Sequence, residues 1–390
     1  MAPSNHDSFD ESPGGAFFES PGEERGLNTK LIFGGSFTLI GAVGCARLAQ
    51  LDNATGDVTQ VGTGVGSGIV RGIATWGDKI VIVGSFSEGG GKRFVMTWDG
   101  SAFAALGNGV TSANVGDTVY TVAVTPAGDI IIGGQFDEVD GVACFGTARY
   151  DADLAAWVPY YDIDSGGTLG ICYRLYLDGS NVYILGNYDN IEGVAINSLS
   201  KNGAVVATAT GPGGTGECSE GIFFNGQFYV GGNFSTIDAD SALNICYLGG
   251  GNYGNTYWNY MGDPVISTDG LSGPLSNRGG PALAVYQGSL YVTGGFADAG
   301  GVIGVDGLVR WSGPNTENTT DSKFGWHRVA DLTAGGVASG TALYPYGGYL
   351  FCLGAFTTPA SYAARYDGTD FDSVAGFNGP VYCAGELIEN

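Results

Sequence analysis

Leu31-Ile32-Phe33-Gly34-Gly35-Ser36-Phe37 decides the fold, because its pattern returns. An apolar run followed by Gly-x-Phe or Gly-x-Tyr recurs at Ile80-Val81-Ile82-Val83-Gly84-Ser85-Phe86 and at Ile130-Ile131-Ile132-Gly133-Gly134-Gln135-Phe136. Weaker copies end at Tyr188, Phe234, Phe296 and Phe356, so successive terminal aromatics are 49, 50, 52, 46, 62 and 60 residues apart. A period in that range marks a solenoid or a radial array of small sheets in which no unit is stable alone.

The second copy shows the unit most clearly. Ile69 to Trp76 reads as a strand, Gly77-Asp78 as a turn, and Lys79 to Gly84 as a mostly apolar strand buried on both faces. Phe94 to Trp98 makes a third strand, Asp99-Gly100 a two-residue hairpin turn, and Ala102 to Leu106 a fourth. Four short antiparallel strands per repeat is the blade of a β-propeller. A parallel β-helix would repeat at roughly 20 residues per coil, and a sandwich has no reason to repeat at all.

Seven copies therefore predict an all-β, seven-bladed propeller of four-stranded antiparallel blades over residues 29–390, preceded by an acidic arm, 1–28. A propeller must join its first and last blades without leaving an open edge. Val381-Tyr382-Cys383-Ala384-Gly385-Glu386-Leu387 matches the innermost strand seen at Val70 to Ala74, and then the chain stops. The strand that should follow it is Lys30 to Gly35, so the C-terminal strand is expected to complete the first blade. A rival register would use Ala16-Phe17-Phe18 there.

Phe33-Gly34-Gly35-Ser36-Phe37-Thr38, followed by Ala46-Arg47-Leu48 and Leu51 to Val58, resembles the delta-60-type propeller repeats of bacterial secreted and surface proteins. It is also similar to the repeats of kelch-type and cortical-marker propellers. The resemblance covers about residues 28–390 and implies a binding or display module, but a fold shared by many functions carries none by itself. The chain departs from propellers that are enzymes: it has only His6 and His327, against the several His ligands of kelch-like copper-radical oxidases. Asp162-Ile163-Asp164-Ser165-Gly166 and Asp238-Ala239-Asp240 fall short of calcium-cage loops and read as ordinary turns.

Composition narrows the partners. Hydrophobic residues make up 44% of 390 positions and Gly supplies 71, which describes a core-forming chain with many tight turns. Fifteen Lys+Arg against 39 Asp+Glu give a net charge of -24, which repels phosphate backbones and anionic lipid. Nucleic acid is excluded as a partner class, and no apolar run approaches a membrane span. The start, Met1 to Asp7, has neither a basic n-region nor an apolar h-region, so no standard signal peptide is expected. Equivalent Cys positions in different blades are too far apart to bridge, so most of the seven read as reduced, buried thiols, with one or two disulfides left open.

Recurring residues read as structure. The Gly of Gly-x-Phe permits close backbone approach and its aromatic packs between units. Arg47, Arg149, Arg310 and Arg365 occupy what looks like one repeat position and suggest carbonyl or Asp pairing in each blade. Function in a repeat protein sits where the pattern breaks. The third-to-fourth-strand interval is five residues from Trp98 to Phe103, but eleven from Tyr247 to Trp258 and fifteen from Trp311 to Trp326. The first enlarged loop mixes Tyr, Asn and Gly in the manner of a recognition surface, which makes Tyr253, Asn255, Tyr257 and Tyr260 the candidate contacts, with Asn318 in the second. Trp258 and Trp326 hold the slot of Phe103 and read as core.

The arm carries Phe9, Phe17 and Phe18 as isolated anchors in an Asp, Glu, Ser, Pro and Gly background. These features predict a non-enzymatic scaffold or interaction protein, a structural or attachment component of a virion or extracellular surface assembly, made in the cytoplasm. Its partners would be other protein subunits, with a surface glycan as a further candidate and no cofactor, metal or catalytic residue assigned. The alternative is a glycan-binding lectin or carbohydrate-active enzyme, since loop aromatics stack on sugars and carboxylates are abundant.

Overall fold

A computed structural model describes residues 29–52, 55–88, 92–111, 117–210, 216–238, 240–250, 256–262, 270–275, 280–313, 322–323, 325–374 and 376–388. Every regular element among them is a β-strand. The second repeat folds much as read: Val70–Trp76, Lys79–Glu88, Lys92–Trp98 and Phe103–Ala105 pair in that order, all antiparallel. The remaining Gly-x-Phe units do the same around a closed ring. The first strands, Val70–Trp76, Thr118–Val124, Ile171–Asp178, Glu217–Phe224, Leu283–Tyr286 and Gly340–Tyr346, pack side by side in turn. Val381–Ile388 closes the ring between Gly340–Tyr346 and Val70–Trp76.

That closure is the one expected from the chain ends. Val381–Ile388 pairs along Thr29–Gly35, from Thr29 opposite Ile388 to Gly35 opposite Val381, and Leu48–Leu51 and Val58–Gln60 complete the sheet. The place that the rival register gave to Ala16-Phe17-Phe18 is thereby filled, and residues 1–28 lie outside the described part.

The sheet count corrects the expectation. Eight sheets of four or more strands are present among the described residues, not seven. The additional sheet orders Thr168–Leu169, Ile163–Ser165, Asn190–Ile191 and Val194–Ala195. It forms where a hairpin in the connection leading to Ile171–Asp178 meets the hairpin that follows Asn181–Asn187, through Ile163 opposite Ile191. Elsewhere the same meeting is a single bridge, as at Val110 and Val139 or Leu271 and Ala299, or a two-pair extension of the preceding fourth strand, as at Ala209 with Ile237 and Thr210 with Thr236. No Gly-x-Phe phrase belongs to this sheet, so counting phrases could not find it.

Each unit is held by the motif that announced it. The terminal aromatics Phe37, Phe86, Phe136, Tyr188, Phe234, Phe296 and Phe356 are all buried. In six of the seven units the glycine two residues earlier faces a carbonyl at the start of the first strand, and Gly294 faces that of Pro274 instead. A Cβ on Gly84 would lie 2.0 Å from the Ile69 oxygen, and one on Gly134 would lie 2.1 Å from that of Thr118. No side chain fits, which is why the position is glycine. All seven cysteines are buried free thiols, which closes the possibility of one or two disulfides, and Trp258 and Trp326 are core.

Candidate functional site

Antiparallel strands alternate in direction, so the link into each first strand and the link from second to third strand emerge at one end of the barrel. First-to-second and third-to-fourth links emerge at the other. The second-to-third links form short hairpins: Leu39–Ile40 with Val43–Gly44, Glu138–Val139 with Val142–Ala143, Asn190–Ile191 with Val194–Ala195, Thr236–Ile237 with Asp240–Ser241, and Asp298–Ala299 with Val302–Ile303. The link before Gly340–Tyr346 adds another, Thr333–Ala334 with Val337–Ala338. All six belong to the same end.

Their turns follow from local sequence. Asp140-Gly141 and Glu192-Gly193 take positive φ at both residues, 53° and 78° and then 51° and 75°, the type I′ geometry that suits a two-residue hairpin. The acidic residue also ties its hairpin to the preceding unit. Asn108 N–H donates to Asp140 Oδ1 at 3.0 Å, Asp162 N–H to Glu192 Oε1 at 2.7 Å, and Thr208 N–H to Asp238 Oδ1 at 2.8 Å. Trp258 Nε1–H adds a bond to Asp238 Oδ2 at 2.9 Å.

The calcium-like loops have the same structural use. Asp162 Oδ1 accepts from Phe145 N–H at 3.0 Å, and Asp164 Oδ1 accepts from Gly167 N–H and Asn190 Nδ2–H at 3.2 Å each. These carboxylates close turns.

What the hairpins present is apolar. Ile303 is 76% exposed, Val43 70%, Val337 69%, Val194 52% and Phe145 44%. Of the ten large hydrophobic side chains exposed among the described residues, these five with Leu39 and Leu243 lie at the hairpin end. Single exposed apolar residues are ordinary, but their recurrence at one end of a ring marks a contact surface. Between two hairpins the extra sheet frames a cavity of about 530 Å³, bordered by Asp137, Phe145, Asp162, Asp164, Leu169 and Glu192. The end is thus apolar at its tips and acidic between them.

Nearer the axis, six of the seven first strands bulge at one register, Leu283–Tyr286 being the exception. The unpaired residues are Arg71, Tyr120, Tyr173, Ser219, Thr341 and Tyr382, each sitting where the ladder to the second strand skips. Bulges re-aim side chains. Here the Arg71 guanidinium lies 5.1 Å from the centre of the Tyr120 ring, and Tyr120 meets Tyr173 edge-on at 5.5 Å. Next to the bulges, Arg174 and Glu220 join two successive sheets through bonds of 2.8 and 3.2 Å. Burial pushes the Glu220 carboxyl up to about 7, with Arg174 opposing.

The residues singled out from the sequence fare differently. Phe9, Phe17, Phe18, Tyr253, Asn255 and Asn318 lie outside the described residues. Tyr257 and Tyr260 belong to the strand Thr256–Tyr260, and their side chains are likewise outside the description. By topology the strands that flank the two enlarged third-to-fourth-strand loops meet those loops at the end opposite the hairpins. The arginine ring is corrected in part. Arg149, Arg310 and Arg365 do share a register, opposite Ile131, Tyr291 and Phe351, but the residue so placed in the first unit is Gln50, opposite Ile32. Arg47 sits three positions earlier at φ 65° and donates to the carbonyls of Gly68, Val65 and Gly66. Arg149 bonds Asp129 and Asp151, and Arg365 bonds Asp372.

The hairpin tips were missed, although a second phrase was there to find. Ile40-Gly41-Ala42-Val43, Val139-Asp140-Gly141-Val142, Ile191-Glu192-Gly193-Val194 and Ala334-Gly335-Gly336-Val337 repeat a turn followed by an apolar residue. Comparison of the chain with family models and with curated proteins finds no match. The likeness to delta-60-type and kelch-type repeats therefore extends to the propeller architecture alone. The described residues contain no helix, and so none long and apolar enough to cross a membrane.

Proposed function

We propose that this chain is a non-enzymatic scaffold or interaction protein, a structural or attachment component of a virion or extracellular surface assembly. The observation that carries the reading is the set of exposed apolar tips, Val43, Val194, Ile303 and Val337, raised at one end on hairpins. Covering one such side chain contributes about 1.5–3 kcal/mol, so a partner seated across several of them gains enough to hold. The Val194 hairpin is pinned to its neighbouring unit through Glu192, and those of Val43 and Ile303 through Gly41 N–H to the Gly376 carbonyl and Gly300 N–H to that of Gly270, which pre-organises the surface and lowers the ordering cost of binding. The buried ring below it gives the tips a fixed spacing.

The test is sedimentation of the native protein from its source, with mass spectrometry of whatever travels with it. Recovery in a large particle at fixed stoichiometry is the expected result. Recovery as a free 40 kDa species sinks the proposal and moves attention to ligand binding.

A further inference from the structure

We propose that the hairpin end docks a protein surface that combines apolar side chains with lysine or arginine. This inference rests on the interaction reading above and specifies the partner's chemistry. The apolar tips supply the contact area, and the charge between them chooses the occupant. Asp137, Glu138, Asp140, Asp162, Asp164 and Glu192 fall within three consecutive links of this end, the links that also carry Phe145 and Val194. Of the basic residues at the same end, Arg47 has its guanidinium engaged by three backbone carbonyls, and Lys92 and Arg93 stand in the second unit's link, outside those three. A second copy of this chain, at a net charge of -24, would press one acidic surface on another, and nucleic acid would do the same. A basic partner has the opposite sign at the same spacing.

The cavity gives such a partner a specific seat. About 530 Å³ bordered by Phe145, Leu169 and four carboxylates has room for the aliphatic stem of a long basic side chain, with its charged head among the acids. The exposed Phe145 ring adds a face for the cation.

The experiment uses the full chain and three short synthetic peptides: alternating Lys and Leu, alternating Lys and Ser, and alternating Glu and Leu, titrated by calorimetry at low and high NaCl. The Lys-Leu peptide is expected to bind, more weakly in high salt, and the other two to bind at least about tenfold more weakly. Combining Glu192→Gln with Val194→Ser and Val337→Ser should weaken Lys-Leu binding by at least about tenfold while thermal melting stays in place. Leu154→Ser, an exposed apolar residue in a third-to-fourth-strand turn at the opposite end, should leave binding unchanged. Equal binding of the Lys-Ser or Glu-Leu peptide overturns the inference, and so does an equal loss with Leu154→Ser. A native partner cross-linked to Val194 that proves acidic overturns the basic-partner inference and leaves the interaction reading standing. A native protein that sediments alone removes the reading itself.

Discussion

The Glu220 carboxylate accepts two bonds from the Arg174 guanidinium, at 2.8 and 3.2 Å, across the boundary between two successive sheets beside the axis. Glu220 is 1% exposed, so the pair is set by two opposed effects. Burial disfavours the charged carboxylate and Arg174 favours it, and burial is the larger.

A pH dependence follows. The unfolded chain loses this proton near 4.5 and the native one near 7, so in between the native state holds the extra proton. The stability that Glu220 contributes is complete below the lower value and falls as pH rises through the upper one. Urea midpoints measured from pH 5.5 to 7.5 should therefore fall with pH in the wild type and run flatter in Glu220→Gln. Arg174→Met should push the fall to higher pH. A wild-type midpoint that is level over this window, or an unchanged slope in Glu220→Gln, contradicts the assignment.

Replacing the glycine of a Gly-x-Phe phrase should be costly even by alanine. Gly84→Ala puts a methyl carbon 2.0 Å from a backbone oxygen, and the shift needed to clear it should cost about 3 kcal/mol in chemical denaturation. Gly44→Ala, which meets nothing within 4 Å, should cost less than about 1 kcal/mol and serves as the control. Similar losses in the two variants would remove the steric account of the motif.

Closure by the C-terminal strand can be tested by cutting and by joining. A chain ending at Pro380 leaves Thr29–Gly35 as an unpaired edge and takes the buried side chains of Val381, Cys383 and Leu387 out of the core. It should lose the cooperative unfolding transition of the full chain. A circular permutant joining Ile388 to Thr29 through Asn-Gly, and opened between Asp153 and Leu154, should fold, because Thr29 and Ile388 already lie opposite each other. An unfolded permutant, or a truncated chain that melts as the full one does, would refute the closure.

The thiols should be inert in the native protein. Burial lifts Cys45 to about 11 and both Cys144 and Cys383 to about 12, and it raises Cys172, Cys218, Cys246 and Cys352 in the same direction. A thiol reacts as its thiolate, so a colorimetric thiol reagent at pH 8 should modify none of the seven until denaturant is added. Rapid labelling of any one of them in the folded chain would show that its surroundings open.

Much of the architecture was legible because it is written locally and repeated. The apolar run before Gly-x-Phe is a strand buried on both faces wherever it occurs, and the lone copy of a first strand at Val381 to Leu387 needed a partner that only Lys30 to Gly35 could supply. Trp258 and Trp326 were placed in the core by their position in the hairpin alone.

What the chain by itself determined was the repeating unit, its buried aromatics and the way its ends meet, since each depends on neighbours at fixed sequence spacing. Only the tertiary structure decided the extra sheet at Ile163 and Ile191, the pairing of Arg174 with Glu220, the displacement of Arg47 from the arginine register, and the gathering of the apolar tips at one end. These come from contacts between units, whose partners are set by the ring and not by the period. A valine after a turn glycine reads as core in any single repeat. At Val43, Val194 and Val337 it is the place of the hairpin on the rim, with nothing of the chain beyond it among the described residues, that leaves the side chain in water.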